Sequence, residues 1–474
     1  MKIAFTLFLS LFLLHASAQD IGYQYKDLSS VYYKSSMDSL KKAWACPATY
    51  TDKSTQKEFC NQWTSRTTYM QNSINDNDFV YLPEIFSYVD KIVTQLYQHN
   101  QTKFPKKPFL LIDRSTVANA YSIGENVIVV NIGLLTNVKY RDELALILAH
   151  EMSHNFLGHS LQSMKKKAEW LTSDEYKDFI KDLSKDKYNR YNKVVNAFKD
   201  YRFSSSKHNR FGESNADSMA VDILHAAGFA FDAAWFLRLD SVGLEYKTPL
   251  KKPIPDYFSG YGVTIQNAWL AKKAIGLSSR VGDADFNNPI EDSLKTHPDC
   301  KERYEALKSK TNHPEKAELL SDRIRVLADK NIIWNLYRNN NFTSAFYRLF
   351  LLQDEGVKDG WTDFMMSNLL LSFYAEDAML NRSNVIRVKP KAWIGKDYFA
   401  MQTMLEQVPS ASITEWEKAA KAIKTEKLGK DETVFRNVLK SVAINPEEYK
   451  YARKKERASF LAPVENTIYA EYFY

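Results

Sequence analysis

The segment from Leu144 to Leu157 constrains the fold most, because it is apolar on most sides and still carries two histidines and a glutamate. His150 and His154 stand four residues apart in the pattern H-E-x-x-H, which places both imidazoles on one face of a helix. Buried histidine and glutamate side chains are costly unless they are paired, and a metal ion supplies the pairing. The segment therefore predicts a buried helix that holds a metal. Two core histidines bonded to backbone carbonyls are the weaker interpretation.

Glu151 lies one residue round the helix from His150, close to a metal without needing to bind it. That position suits a carboxylate that takes a proton from water at the metal. A catalytic zinc has three protein ligands and one position for water, so a third ligand must come from elsewhere in the chain. The best candidate is Glu213, which opens the next apolar helix. Asp217 follows it by four residues and is predicted to bond a ligating imidazole and fix its tautomer.

The chain predicts an α+β fold that is mostly helical. The runs from Phe109 to Ile112 and from Val127 to Val130 are short and rich in valine and isoleucine, so they are better as buried strands than as helices. Leu336, Phe342, Ala345 and Leu349 have spacings found in tetratricopeptide repeats, but an irregular helical bundle explains them equally well.

A chain of 474 residues, 45% of them hydrophobic, can support more than one core. The segment from Lys308 to Lys316, with its asparagine and proline, is typical of a domain boundary. We predict four parts: a signal peptide at 1–18, a helical extension at 19–75, a zinc metallopeptidase domain at 76–310 and a helical domain at 311–474.

The first residues are typical of a secretory signal. Lys2 is followed by an apolar run from Ile3 to Leu14 and by the small residues that end at Ala18, the predicted cleavage site. A membrane anchor is the alternative, but the run is well short of the roughly 20 apolar residues that span a bilayer. We therefore expect an exported, soluble protein.

Charge and cysteine content limit the other possibilities. A formal net charge of +7 is mild for this length, and the basic clusters are interleaved with acidic and apolar residues, so a nucleic-acid partner is not expected. Of the three cysteines, Cys46 and Cys60 can close a short loop and leave Cys300 over, although the sequence does not fix the pairing.

Several motifs, in order between Phe109 and Leu307, resemble those of the gluzincin metallopeptidases that include HtpX, the CAAX prenyl proteases and BepA. His150 to His154 resemble the metal helix of that family, and His159 falls where many members have another histidine. The remaining matches are the turn Asn119 to Ser122, the strand Val127 to Asn131 with Ile132 to Leu135 after it, the E-x-x-A-D run Glu213 to Asp217, the turn Ala227 to Phe229, and His297-Pro298 with the later Arg303.

The resemblance implies a zincin-like domain with one Zn²⁺ per chain, held by His150, His154 and Glu213, although other divalent ions fit such ligands in vitro. It implies that Glu151 is the base of a peptide hydrolysis. His297 is expected near the zinc, where it either completes the coordination or helps to bind the oxyanion. Asp217, His159 and Arg303 are expected to support the ligands without binding the metal.

The resemblance also implies a substrate-side strand. We expect an extended substrate to pair with an exposed edge formed by Val127, Ile128 and Val129, with Asn119 nearby, through main-chain hydrogen bonds that carry little sequence selectivity. Such binding suits unfolded or misassembled exported proteins. The lack of spans beyond the first residues favours the soluble BepA-like branch of the family. That branch implies a role in protein quality control in a periplasm, with secretion as the alternative.

Two other interpretations stay open at this point. The chain could be a latent or inactive zinc protein that acts as a chaperone-like binding module, with a partner complex docked on its C-terminal helices. A deformylase-like hydrolase also uses H-E-x-x-H, but it needs a cysteine ligand upstream, and Cys46 and Cys60 lie far away without the accompanying motif.

Overall fold

The computed structural model describes residues 44–76, 78–185, 212–239, 244–271, 300–424, 428–451 and 454–473. The predicted signal peptide at 1–18 and the candidate residue His297 lie outside these ranges. Within them, no helix combines the length and apolarity that a membrane span requires.

The first half of the chain sets a small sheet among helices. The helix that carries the H-E-x-x-H pattern, α4 (Arg141–Phe156), lies at the centre of this half. The elements are α1 (Lys53–Asn75), α2 (Pro83–Gln98), β1 (Phe109–Asp113), β2 (Ala120–Gly124), β3 (Val127–Asn131), α3 (Ile132–Leu135), α4 (Arg141–Phe156), α5 (His159–Thr172), α6 (Asp174–Lys185), α7 (212–226), α8 (Ala234–Leu239), α9 (Ile254–Ser259) and α10 (Cys300–Leu307).

The sheet has the order β1-β3-β2, which puts β3 in the middle. Strand β3 pairs with β1 in parallel and with β2 in antiparallel fashion, and all five of its residues are buried. The expectation of an exposed edge at Val127, Ile128 and Val129 is therefore wrong, because hydrogen bonds to β1 and β2 already use both sides of that strand. The outer strand on this side of the sheet is β2.

A tight turn joins β2 to β3. Glu125 and Asn126 both have positive φ angles, 51° and 63°, as the two central residues of a hairpin turn of type I′ do. The turn lets β2 fold back along β3, so that Ala120 lies opposite Val130. The side of β2 that does not pair with β3 faces α4, and this helix packs closely against the strand.

Helix α4 is buried because its apolar residues surround its polar ones. Leu144 and Leu148 are fully buried, as are the alanines that follow each of them. At its start, the carboxylate of Glu143 accepts from the backbone N–H of Lys139 at 2.8 Å, which satisfies a backbone donor at the helix start. Asp142 accepts from the backbone N–H groups of Ala230 and Glu318 and ties this end of the helix to two distant segments.

The second half of the described chain is helical. Its elements are α11 (Asp322–Arg338), α12 (Phe342–Asp354), α13 (Gly360–Ala378), α14 (Arg382–Ile386), α15 (Lys396–Gln407), α16 (Ser410–Ala422), α17 (Lys430–Ile444), α18 (Pro446–Tyr451) and α19 (Lys454–Leu461). One hydrophobic cluster runs from Val80 to Phe473 and joins these helices to the sheet-containing half. The predicted mostly helical α+β fold is confirmed. The boundary at 310 and the repeat-like character stay predictions.

Polar contacts also hold the two halves together. Glu471, near the end of the chain, accepts from Arg114 at 2.9 Å and from the indole N–H of Trp334 at 2.6 Å. Arg348 on α12 donates to the hydroxyl of Thr136 at 2.7 Å, next to α3.

The disulfide that the sequence left open joins Cys46 to Cys60 and fastens the segment before α1 to that helix. Cys300 is buried at the start of α10.

Candidate metal centre

Three side chains from two helices meet at one point. His150 and His154 project from α4, and Glu213 comes from the first turn of α7. The two Nε2 atoms lie 2.9 Å apart, and the carboxylate oxygens of Glu213 lie 3.3 Å from Nε2 of His150 and 3.5 Å from Nε2 of His154. Ligand atoms about 2.1 Å from a tetrahedral zinc lie about 3.4 Å from one another. The spacing of this group therefore fits a zinc ion.

His150 is held from behind by a carboxylate. Its Nδ1 lies 2.8 Å from Oδ1 of Asp217, one turn along α7 from Glu213. Arg303 on α10 donates to the same carboxylate from Nε at 2.8 Å and from Nη2 at 2.5 Å, and its guanidinium lies 4.4 Å from the ring centre of Phe236. This chain of contacts directs Nε2 of His150 towards the point where the three side chains meet.

His154 is held by a second histidine. Its Nδ1 lies 2.8 Å from Nδ1 of His159, the first residue of α5. If Nε2 of His154 binds a cation, Nδ1 must carry its proton, so Nδ1 of His159 is the acceptor in that state. Gly158 has a left-handed φ of 66°, which ends one helix and starts the next so that His159 can reach back to His154.

Glu151 lies beside the ligand group and is 4% exposed. The backbone N–H of Ser122 in β2 donates to its carboxylate. Burial raises the pKa of Glu151 to about 7, and the charge of Glu213 adds to that effect, while His150, Ser122 and Arg303 oppose it. The carboxylate is thus placed between the edge strand and the ligands.

The electrostatics of the group favour a cation. Burial lowers the pKa of His154 to about 4. Burial also acts to lower the pKa of His150, but the carboxylates of Asp217 and Glu213 outweigh it and raise that pKa to about 10. Burial acts to raise the pKa of Asp217, but His150 and Arg303 lower it to about 2. Two carboxylates therefore stabilise positive charge beside His150, and a divalent ion would supply that charge with both imidazoles neutral.

The predicted substrate residue Asn119 lies next to this group. Together with Ala120 it lines a cavity that also includes His150 and Glu151. The sequence did not single out Ser122 for its backbone contact with Glu151, nor Phe236 for its contact with Arg303. Ser122 stood inside a recognised motif, whereas nothing in the sequence distinguished Phe236 from other apolar residues.

Residues 83–311 match the model of peptidase family M48, the family of HtpX-, CAAX protease- and BepA-type zinc peptidases. A search of curated proteins found no match to the chain. The matched region runs from α2 to just beyond α10 and includes the three candidate ligands, Glu151 and the Asp217–Arg303 pair. The sequence resemblance is confirmed: residues 83–311 match peptidase family M48, and the protein is a zinc metallopeptidase.

Proposed function

We propose that this zinc peptidase cleaves peptide bonds inside unfolded or misassembled exported proteins, with His150, His154 and Glu213 as metal ligands and Glu151 as general base. The placement of Glu151 carries the proposal. Its carboxylate is buried beside the ligand group, is held by the N–H of Ser122, and lines the cavity that adjoins the edge strand.

Each residue of the site has a defined task in this mechanism. Zinc, when bound, polarises the substrate carbonyl and makes water a better nucleophile. Glu151 accepts the proton that the attacking water loses and then delivers it to the departing amine. Ser122 orients the carboxylate of Glu151 for both transfers. Asp217 and Arg303 keep His150 in one orientation and one tautomer.

Strand β2 is the element on which an extended substrate would bind. The carbonyl of Asn119 accepts from the N–H of Asn131 at 3.0 Å, so the backbone groups of Asn119 and Tyr121 face β3. Because backbone direction alternates along a strand, those of Ala120 and Ser122 face the outer edge. The N–H of Ser122 donates to Glu151 there, so a substrate would pair with the other outer-edge groups of these two residues. A substrate strand added there would be held through its main chain, with little dependence on sequence. Such binding favours unfolded segments over folded ones.

Export and a quality-control role belong to the same proposal. The N-terminal pattern that ends at Ala18 supports export, and so does the Cys46–Cys60 disulfide, because disulfides persist in oxidising compartments such as the periplasm. Docking of a partner complex on the C-terminal helices stays a prediction. A latent or inactive zinc protein that serves only as a binding module is not favoured, because the ligand group and its neighbouring carboxylate are complete.

The test is cleavage of a reduced, unfolded model protein by the mature chain and by a Glu151→Gln variant, with zinc content measured in both. We expect the wild type to cut and the variant to be at least ~100-fold slower, the usual loss when a general base is removed. Equal cleavage by the two would show that Glu151 is not the base. If neither cuts while both hold zinc, the proposal of an active endopeptidase is wrong.

A further inference from the structure

A groove with a volume of about 630 Å³ lies at the end of β2, beside the candidate ligand His154. We propose that it binds an aspartate or glutamate side chain of the substrate, two or three residues before the scissile bond, and that Arg66 selects this side chain. The inference rests on the proposed peptidase function and adds a substrate preference to it. The basic side chains of the lining are Arg66, Lys103, Lys106 and Lys107.

The position of the groove decides which part of a substrate it meets. An added strand is more stable when antiparallel, so a substrate on the outer edge of β2 runs opposite to that strand. Its N-terminal side then lies over the end of β2, where Gly124 lines the groove. Gly124 stands two residues, about 7 Å, beyond Ser122, which contacts Glu151. The second and third residues before the scissile bond are therefore the ones that reach the groove.

Arg66 belongs to α1 and is held against the end of β2. Its guanidinium carbon lies 4.2 Å from the ring centre of Trp63 and 5.1 Å from that of Trp44. Its Nη1 donates to the carbonyl of Ile123 at 3.4 Å. A Cβ at position 124 would lie 2.9 Å from the same nitrogen, so Gly124 leaves the space that Arg66 occupies. These contacts fix a positive charge at the end of the strand on which the substrate binds.

The charge of Arg66 is poorly compensated. Its Nε and Nη2 are buried, and neither has a hydrogen-bond partner in the part of the chain that the structure describes. Burial lowers the pKa of Arg66, and the charge of Glu125, an exposed residue of the β2–β3 turn, opposes that effect. A buried charge is costly unless it is paired. A carboxylate in the groove would therefore stabilise the guanidinium.

The other charges of the groove also favour an anion. Lys103 and Lys106 line it, and among the described residues of the lining only Glu125 is acidic. Lys107 pairs with Asp90 at 2.7 Å, so its charge is already balanced. A lysine or arginine side chain of a substrate would be repelled by these cations, whereas an aspartate or glutamate would be attracted.

The residues that position Arg66 lie outside the region that matches the peptidase family. The match begins at residue 83, whereas Trp44 and the whole of α1 precede it. The Cys46–Cys60 disulfide fastens the segment of Trp44 to α1, and the indole of Trp63 donates to the carbonyl of Trp44 at 2.9 Å. The acidic preference is therefore a property that this N-terminal extension adds to the peptidase domain.

The first experiment compares quenched-fluorescent peptides in which glutamate or glutamine occupies, in turn, each of the residues before one cleavable bond. Glutamine has the same shape as glutamate without the charge. For the zinc-loaded wild type we expect kcat/KM to be at least ~10-fold higher for glutamate at the second or third position, the usual effect of a hydrogen bond to a charged group. Equal rates at both positions, or a preference confined to another position, would overturn the inference.

Variants of Arg66 tie the preference to this residue. Arg66→Met removes the charge and keeps an unbranched side chain against the two indoles, so the glutamate preference should fall about 10-fold. Arg66→Lys keeps the charge and should recover part of the preference. Lys166→Met is the matched control, because it removes the same charge from an exposed position on α5. An unchanged preference in Arg66→Met would show that Arg66 does not select the substrate.

A double variant tests the groove without disturbing the packing of Arg66. Lys106 is exposed and Lys103 half-buried, so Lys103→Met with Lys106→Met leaves the core intact. A carboxylate in the groove interacts with both amines, and the glutamate preference should fall about 2- to 5-fold, the range for exposed ion pairs. An unchanged preference would place the carboxylate outside the groove, whether or not Arg66→Met folds.

A binding measurement separates the groove from catalysis. Short peptides that end in a hydroxamate chelate zinc and place their residues on the N-terminal side of the cleavage position. Calorimetry on the zinc-loaded wild type should show glutamate, at the second or third residue from the hydroxamate, binding at least ~10-fold more tightly than glutamine. If peptides are not cleaved but this ranking holds, the proposed function fails and the groove assignment stands. If peptides are cleaved and the ranking is absent, the groove assignment fails alone.

Discussion

Nδ1 of His159 lies 2.8 Å from Nδ1 of His154, so one histidine orients another at the metal centre. The other ligand histidine, His150, is held by the carboxylate of Asp217 at the same distance. Hydrogen bonds to charged acceptors are stronger than those between neutral groups. The two imidazoles are therefore supported unequally, and removing the partner of each should have a different consequence.

Replacing His159 should weaken zinc binding without preventing folding. Outer partners of metal-bound histidines typically contribute about 10- to 100-fold in affinity, so we expect a loss in that range for His159→Ala. His159→Gln should recover part of it, because its amide oxygen can accept from Nδ1 of His154. Chelator competition measures both. His313→Ala is the control, since that side chain is 57% exposed; equal zinc affinity in all three variants would contradict this role of His159.

Replacing Asp217 should destabilise the protein even without metal. Arg303 is 7% exposed, and Asp217→Ala would remove its acceptor for two hydrogen bonds. Loss of one partner of a buried ion pair costs about 3–5 kcal/mol. The double change Asp217→Ala with Arg303→Met should cost less than Asp217→Ala alone. Urea unfolding of the metal-free variants checks the order, and equal losses for the single and double variants would rule out a buried unpaired charge as the cause.

Removing the metal should lower the thermal stability of the protein, because zinc binds the folded state through His150, His154 and Glu213. A ligand at 100 times its Kd stabilises the folded state by about 2.7 kcal/mol, so chelation should lower the Tm of the wild type measurably. In Glu213→Gln the ligand group loses its carboxylate, and the difference in Tm between zinc-loaded and chelated protein should shrink. A difference as large as in the wild type would show that Glu213 is not a ligand.

The ligand group was predictable from sequence because its geometry is local. Positions i and i+4 on a helix fix the directions of His150 and His154 wherever the helix lies. The role of His159 was less accessible. Five residues on, it would point away from the ligand face of a continuous helix, and only the left-handed turn at Gly158 brings it back.

The edge strand of the sheet was harder to predict, because strand order depends on pairing between residues that are far apart in the sequence. The error at Val127, Ile128 and Val129 had a local warning, however. A continuous apolar run is typical of a strand covered on both faces, and β3 is such a strand. The more polar β2, with Tyr121 and Ser122 half-buried, was the better candidate for the outer position.

The end of the chain should stabilise the metal-containing half. Glu471 accepts from Arg114, Trp334 and Arg338, which belong to both halves of the molecule. Arg114 is 5% exposed, so Glu471→Ala should cost about 3–5 kcal/mol, as for other buried ion pairs. One hydrophobic cluster spans both halves, so we expect them to unfold together. Glu471→Ala should therefore lower both the unfolding midpoint followed by tryptophan fluorescence and the midpoint of zinc release.

Glu465→Ala, at an exposed position six residues earlier, is the matched control for this change and should leave both midpoints unaltered. A shift in fluorescence with unchanged zinc release would mean that the C-terminal helices unfold separately from the peptidase half. In that case the boundary predicted near residue 310 would mark two cooperative units. Coincident shifts would instead show that the two halves unfold together around a shared core. A chain cut near residue 310 would then expose that core. Partner binding would have to be mapped by surface substitutions in the full-length protein.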